Sequence, residues 1–251
     1  MQKISPDLII DFRGDFFLLA GTVLSFPKYR LEIGHARLFS TFVKLFARNG
    51  SNIYKRLSSL PETELYNKLI LDSKVELLSS SDCRGYIENQ IGIGKVEKKF
   101  SLTDEYCCIH IGGSVAHKRW PVEYYIELAA SIFSKYQIKS VFVGSKDDLN
   151  LLNNTELNLS HSINLISKTN IIELLAVIKK AKLLVANDSA AGHIAAFWGT
   201  PVVTIFGGAS NEKMFRPHGD GVTSILKSMC YCTTVEQNYC PLGSGWCMAK
   251  I

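Results

Sequence analysis

From residue 105 to residue 208 the chain alternates short apolar runs with amphipathic stretches, and this alternation limits its fold more than any other feature. "YCCIHI" (106–111), "SVFVGS" (140–145), "SINLIS" (162–167), "KLLVAND" (182–188) and "PVVTIFGG" (201–208) read as strands. Between them, "PVEYYIELAASIFSKY" (121–136), "DDLNLLNN" (147–154), "NIIELLAVIKKA" (170–181) and "AAGHIAAFW" (190–198) read as helices. Val122, Ile126, Ala129 and Phe133 share one helical face, and Ile171, Leu174, Leu175 and Ile178 share another. Pro121 suits a first helical position. Asn170 and Glu173 have the spacing of a capping box, and Gly199 is placed to stop the helix before it. Strands that are apolar throughout and joined by helices predict a parallel sheet covered on both faces.

In such a sheet, ligands bind beyond the carboxyl ends of the strands. The loops expected there are "GGSVAHK", "GSKDD", "SKTN", "NDSA" and "GGAS", and each is built of small, polar or charged residues. Five loops would therefore face one crevice. The first hundred residues are less regular. Strands at 7–12 and 28–34 and helices at 16–24 and 36–47 lead into a polar stretch. The pattern predicts a smaller, incomplete α/β domain over 1–104, a boundary near 95–104, and a second domain over 105–251. "KVEKK" (95–99) reads as a solvated linker.

Composition narrows the function. Hydrophobic residues make up 47% and charged residues 20%, as in ordinary globular proteins. The net charge of +5, from 28 basic and 23 acidic side chains, suits an anionic small molecule or membrane surface without demanding either. No basic tract with interleaved aromatics points to nucleic acid. No run approaches the roughly 18 apolar residues of a membrane span, and the first 30 residues lack the order of a secretory signal. A cytoplasmic protein is the expectation. Cys107 and Cys108 fall in a strand and read as buried thiols. Cys230, Cys232, Cys240 and Cys247 crowd the tail (227–251), and their spacing matches no standard zinc template. Reduced thiols are favoured there over a bound metal.

Several side chains could carry chemistry. Lys118 follows Gly112, Gly113 and Ser114 and precedes a helix start, the makings of a phosphate site. Asp188 ends a strand and Ser189 follows it; either could cap the next helix. His193 lies in that helix's second turn and should lean back toward the crevice. Ala190, Ala191, Gly192, Ala195 and Ala196 would let the helix approach sheet and ligand closely. Asp147 and Asp148 follow the second strand, where a carboxylate can accept from a ribose diol or cap a helix. The dinucleotide glycine fingerprint is absent, as are the P-loop, the nucleophile elbow, H-E-x-x-H and any D-x-D. A bound diphosphate would have to be neutralised by protein groups.

"IHIGGSVAHKRWPVEYY", "VFVGSKDD", "LISKTNIIELLAVIKKAKLLVANDSAAGHIAAFWGTPVVTIFGG" and the cysteine-bearing tail ending "CMAKI" resemble glycosyltransferase family 9, the heptosyltransferases of lipopolysaccharide core synthesis and their relatives. The resemblance is specific over 105–251 and weaker before it. It implies a metal-independent GT-B enzyme of two Rossmann-type domains, with no cofactor. The C-terminal domain would bind a nucleoside-diphosphate sugar, ADP-heptose-like. The N-terminal domain would bind a lipopolysaccharide-core acceptor, with peripheral contact at the cytoplasmic face of the inner membrane. By position, Ser114 and Lys118 would meet the diphosphate and Asp148 the ribose. Asp188, Ser189 and His193 match the family's D-[TS]-G-x-x-H segment, which holds sugar and phosphates; Ala190 replaces its glycine. The family's opening strand and glycine–aspartate loop, which carries the proposed base, is expected to precede this chain. Asp15 in "DFRGDFF" is the substitute candidate. "DFRGD" reads better as a later strand of that domain, which would leave the donor half of a site without its base. A non-catalytic nucleotide-sugar-binding remnant is the competing reading, and a nucleotide-binding oxidoreductase a distant one.

Overall fold

The computed structural model describes residues 8–11, 29–34, 51–55, 80–102, 105–152, 157, 160–208, 210–228, 230, 240 and 246–251. The chain divides into two compact units, residues 1–77 and 78–251. The sequence-based boundary near 95–104 lies inside the second unit.

In the first unit, β1 (Leu8–Asp11), β2 (Tyr29–Gly34) and β3 (Ser51–Lys55) form a parallel sheet in that order. The first two were expected. The third falls in the stretch read as polar, where only Ile53 and Tyr54 signal a strand. The helices expected at 16–24 and 36–47, and Asp15, lie outside the described residues.

The second unit opens with α1 (Ser80–Ile91) and α2 (Ile93–Phe100). "KVEKK" is therefore helical rather than a linker. Val96 is buried, Ile93 and Phe100 pack beside it, and this i, i+3, i+7 stripe is what the local charge density concealed. There follow β4 (Tyr106–His110), a 3₁₀ turn (Ala116–Lys118), α3 (Val122–Tyr136), β5 (Lys139–Val143), α4 (Leu149–Leu152), β6 (Ser162–Asn164), α5 (Ile171–Lys180), β7 (Leu183–Asn187), α6 (Ala190–Trp198), β8 (Val202–Phe206), α7 (Glu212–Phe215), β9 (Thr223–Lys227) and a final 3₁₀ turn (Trp246–Lys250). The six strands β4 to β9 are parallel and ordered β6-β5-β4-β7-β8-β9. Reading leaves the centre at β4, runs outward to β6, then returns to β7 on the other side. That reversal is the topological switch of a Rossmann sheet, and it opens a crevice beyond the ends of β4 and β7.

The sheet is dry because its strands are apolar on both sides. Cys108, Val141, Val143, Leu184 and Ala186 face α5 and α6; Ile109, Phe142, Val185 and Ile205 face α3 and the C-terminal turn. The capping box of α5 forms as expected, Asn170 Oδ1 accepting from Glu173 N at 2.9 Å and Glu173 Oε2 from Asn170 N at 3.0 Å. Gly199 ends α6 in the left-handed region, at φ 76°. Ala191, Gly192, Ala195 and Ala196 are all buried, so α6 does lie close on the sheet. A Cβ on Gly192 would stand 3.1 Å from Pro217 Cγ and 3.3 Å from Thr204 Oγ1. Arg84 of α1 secures the other end of this helix, donating to the carbonyl of Phe197 at 3.2 Å and pairing with Asp220 at 2.5 Å.

Candidate functional site

A cavity of about 800 Å³ opens at the switch point, a size typical of small-molecule sites. Ser114, Asp148, Asp188, Ser189, Ala190 and His193, six residues singled out from sequence, all line it. Loops far apart in the chain meet here because β5, β4 and β7 are neighbours in the sheet.

Lys118 is almost fully buried beside the cavity, and its Nζ donates at 2.9 Å to Oδ2 of Asp188, which lines it. Two charges removed from water hold each other, and the pair ties the loop after β4 to the loop after β7. Among the described lining residues, the permanent positive charge belongs to Arg119, which the sequence did not single out. Its Nε donates to Gly113 O at 2.9 Å, so one guanidinium edge is anchored.

Asp148 is buried and its Oδ2 accepts from Ser145 N at 2.7 Å and Ser145 Oγ at 2.8 Å. Both bonds come from the residue three positions earlier, so the carboxylate closes the loop after β5, and it does so from a place on the cavity wall. The glycines around it make room for the acid. A Cβ on Gly112 would meet both carboxylate oxygens at 2.6 Å, and one on Gly144 would meet Oδ2 at 2.9 Å. The space that Gly112 leaves open is filled by the Asp148 carboxylate.

Ser189 stands at the N-cap position of α6, yet neither its side chain nor any other caps that helix among the described residues. Its Oγ lies 3.3 Å from His110 Nδ1 instead. Asp188, the other cap candidate, is engaged by Lys118. Of the first-turn N–H groups of α6, that of Gly192 donates to the Ser189 carbonyl at 3.2 Å, while those of Ala190 and Ala191 have no side-chain cap, and Ala190 is on the cavity wall. Ala190 changes nothing in that respect, since its backbone N–H is the same as a glycine's.

Two histidines share the cavity. Burial holds the His110 ring below the usual histidine pKa, and Asp148 opposes the shift. Partial burial likewise lowers His193, opposed by Asp188 and reinforced by His218. Both rings are thus biased toward the neutral form near neutral pH.

One residue behind the site holds it together. Asn187, the last residue of β7, is fully buried. Its Oδ1 accepts from Trp120 N and Tyr125 Oη, both at 2.9 Å. Its Nδ2 donates to the carbonyls of Ile111 and Gly112, also at 2.9 Å. All of its polar capacity ties the loop after β4, and α3, to β7. An asparagine at the end of an apolar strand was the available signal.

In the tail, Cys230 and Cys240 are half-buried and Cys247 is buried beside Met248, while Cys232 lies outside the described residues. Among the described residues, no three His, Cys, Asp or Glu are grouped to hold a metal ion. No described helix is long and apolar enough to cross a membrane.

A model of glycosyltransferase family 9 (heptosyltransferase) matches residues 64–244. The lipopolysaccharide core heptosyltransferase OpsX of Haemophilus influenzae is 32% identical over 158 residues, which are 55% of this chain and 45% of that protein. The crystal structure of the glycosyl transferase family 9 from Veillonella parvula matches with a TM-score of 0.64 at 21% identity, over 89% of this chain and 63% of that one. E. coli heptosyltransferase WaaC with ADP-2-deoxy-2-fluoro heptose matches with a TM-score of 0.62 at 17% identity, over 88% of this chain and 66% of that one. The chain thus spans less than two thirds of the OpsX and Veillonella relatives. The two structural likenesses bear out the α/β, GT-B-like fold class.

Proposed function

The chain belongs to glycosyltransferase family 9, and on that premise we propose that its cavity binds a nucleoside-diphosphate sugar and that the protein transfers the sugar to a lipopolysaccharide-core acceptor. The observation that carries this reading is the wall itself. The uncapped start of α6 and the Arg119 side chain meet at the switch point of a Rossmann sheet, where N–H groups and a cation favour a diphosphate. An ADP-activated heptose is the donor that the relatives favour, since WaaC is solved with an ADP-heptose analogue and OpsX is named for heptose transfer to the core.

In the proposed reaction an acceptor hydroxyl oxygen bonds to the anomeric carbon as that carbon's bond to the β-phosphate oxygen breaks. The hydroxyl proton passes to a base. Asp15 is the substitute candidate that the sequence offers for this base, although "DFRGD" reads better as a later strand of the first domain. The electron pair leaves with the nucleoside diphosphate, whose charge is met by Arg119 and the α6 amides, metal-independently. Lys118 acts through Asp188, which it holds at the wall. Ser114, which shares the cavity wall with Arg119, is assigned to the phosphates, and Ser189, Ala190 and His193 on the same wall are assigned to the phosphates and the sugar. Asp148 retains an oxygen for the ribose. A lipid-linked acceptor and a net charge of +5 suit peripheral work on an anionic cytoplasmic membrane face.

The test is a titration of the full chain with ADP, followed by an assay of heptose transfer from ADP-heptose to core oligosaccharide. Binding with transfer is expected. Binding without transfer would reduce the protein to a nucleotide-sugar-binding module, and absence of binding would remove the reading.

A further inference from the structure

We propose that His110 is a positioning residue whose ring fixes the Ser189 hydroxyl as a hydrogen-bond donor toward the anionic group of the bound ligand. The inference rests on the diphosphate reading of the same cavity and adds to it a residue that neither sequence motif nor family match singled out.

The placement follows from sheet order. His110 ends β4, the central strand. It pairs with Val143 of β5 on one side and Ala186 of β7 on the other. Along β4 its side chain follows Tyr106 and Cys108 at period two, so it emerges on the face covered by α5 and α6. The loop after β5 brings Asp148 to one flank and the loop after β7 brings Ser189 to the other. Acid, imidazole and hydroxyl thus come from three adjacent strand ends.

The contacts are particular. His110 Nδ1 lies 3.3 Å from Ser189 Oγ. A serine at an N-cap position ordinarily turns its oxygen onto its own helix. Ser189 does not, and the histidine ring is where it turns instead. Asp148 is held to Ser145 in a space that Gly112 and Gly144 leave open, and its charge acts on the His110 ring.

The pair has two polarities. If Nδ1 carries a proton it donates to Oγ, and the hydroxyl hydrogen is free to point into the cavity. If Nδ1 is bare, Ser189 donates to it and shows the cavity only lone pairs, which repel an anion. An anionic ligand selects the first polarity. It can do so by a tautomer shift, or by proton uptake that leaves both ring nitrogens protonated. The other ionisable groups around this cavity are Asp147 and Asp148 after β5, Arg119 after β4, and Asp188 and His193 on the β7–α6 side, while α5 contributes Asn170, Ile171 and Leu174.

Two readouts on the full chain test the proposal. Ring ¹⁵N NMR of the ligand-free protein should show the Nδ1 resonance of His110 moving in Ser189→Ala while Nε2 stays; an unmoved Nδ1 overturns the pairing. In ADP titrations, His110→Leu and Ser189→Ala should each weaken binding about tenfold. The double variant should lose no more than Ser189→Ala alone, because without the Ser189 hydroxyl the ring has nothing left to position. His110→Asn, whose amide can place an N–H near the Nδ1 position, should recover most of the affinity. Additive losses, or an Asn variant as weak as the Leu variant, overturn the positioning role. If the wild-type chain fails to bind ADP, the diphosphate reading falls and this proposal falls with it, whereas ADP binding with additive losses sinks this proposal alone.

Discussion

Two helices present their N-termini to the same cavity, and they differ in what closes the first turn. At α5 the capping box satisfies it from within, and Lys99 Nζ lies 2.5 Å from Glu173 Oε1. That ammonium first, and the Asn170 N–H second, hold the Glu173 carboxyl below the ordinary carboxylate range. At α6 both side chains that could cap are drawn away, Asp188 to Lys118 and Ser189 to His110. The first helix has spent its positive end on its own acid; the second keeps its positive end for something else. A cap contributes about 1 kcal/mol, so leaving one unmade beside a cavity is a stability cost that a ligand can offset.

The comparison can be broken most severely at the buried ion pair. Lys118→Ala leaves Asp188 without its cation in the protein interior, and the expected loss is about 3–5 kcal/mol in urea unfolding. A Lys118→Met, Asp188→Leu double variant should regain most of that stability. If the single variant is as stable as wild type, the pair does not hold α6 open.

Making α6 resemble α5 is the next largest change. Ser189→Asp puts a carboxylate at the open turn, where like charge should weaken ADP binding by about a hundredfold in calorimetry. Tighter binding would mean the phosphates sit elsewhere. Arg119→Ala removes the wall's permanent cation and should weaken ADP roughly tenfold while leaving the unfolding midpoint nearly unchanged. Equal losses of both would make Arg119 structural. Conversely, Asn170→Ala removes the α5 cap and should cost about 1 kcal/mol of stability. ADP affinity should stay within about twofold, and a larger drop would show that α5 also serves the ligand.

The smallest expected effect is on pH. The native ring of His110 has a lowered pKa. Between that value and the unfolded histidine's, about 6.5, the unfolded chain binds more protons than the native one. Stability is therefore fully present above about pH 6.5 and declines as pH falls below it. His110→Leu should flatten that decline in melting curves between pH 7.5 and 5.5, and an identical slope in the variant would refute the assignment.

Local signals were legible in the sequence and long-range ones were not. The capping box, the Gly199 stop and the small residues of α6 lie within a few positions of what they control, so their spacing sufficed. Strand β9 escaped notice because it is a short edge strand, with Thr223 and Ile225 half-buried and Ser224 exposed, and so carries no apolar run. Asn187, His110 and Arg119 acquire meaning only from partners supplied by the fold. For Asn187 those lie 62 to 76 residues away in sequence, and for His110 the distance is 79. Lys118 was read as a cation beside a helix start, but no spacing could disclose that Asp188, 70 residues on, would pair with it.

A crystal structure of the full chain with ADP bound tests the open-helix account most directly. It predicts β-phosphate oxygens about 3 Å from the Ala190 N–H, with the Arg119 guanidinium within reach of the same phosphate. A diphosphate seated at the start of α5, or away from both helices, would contradict it.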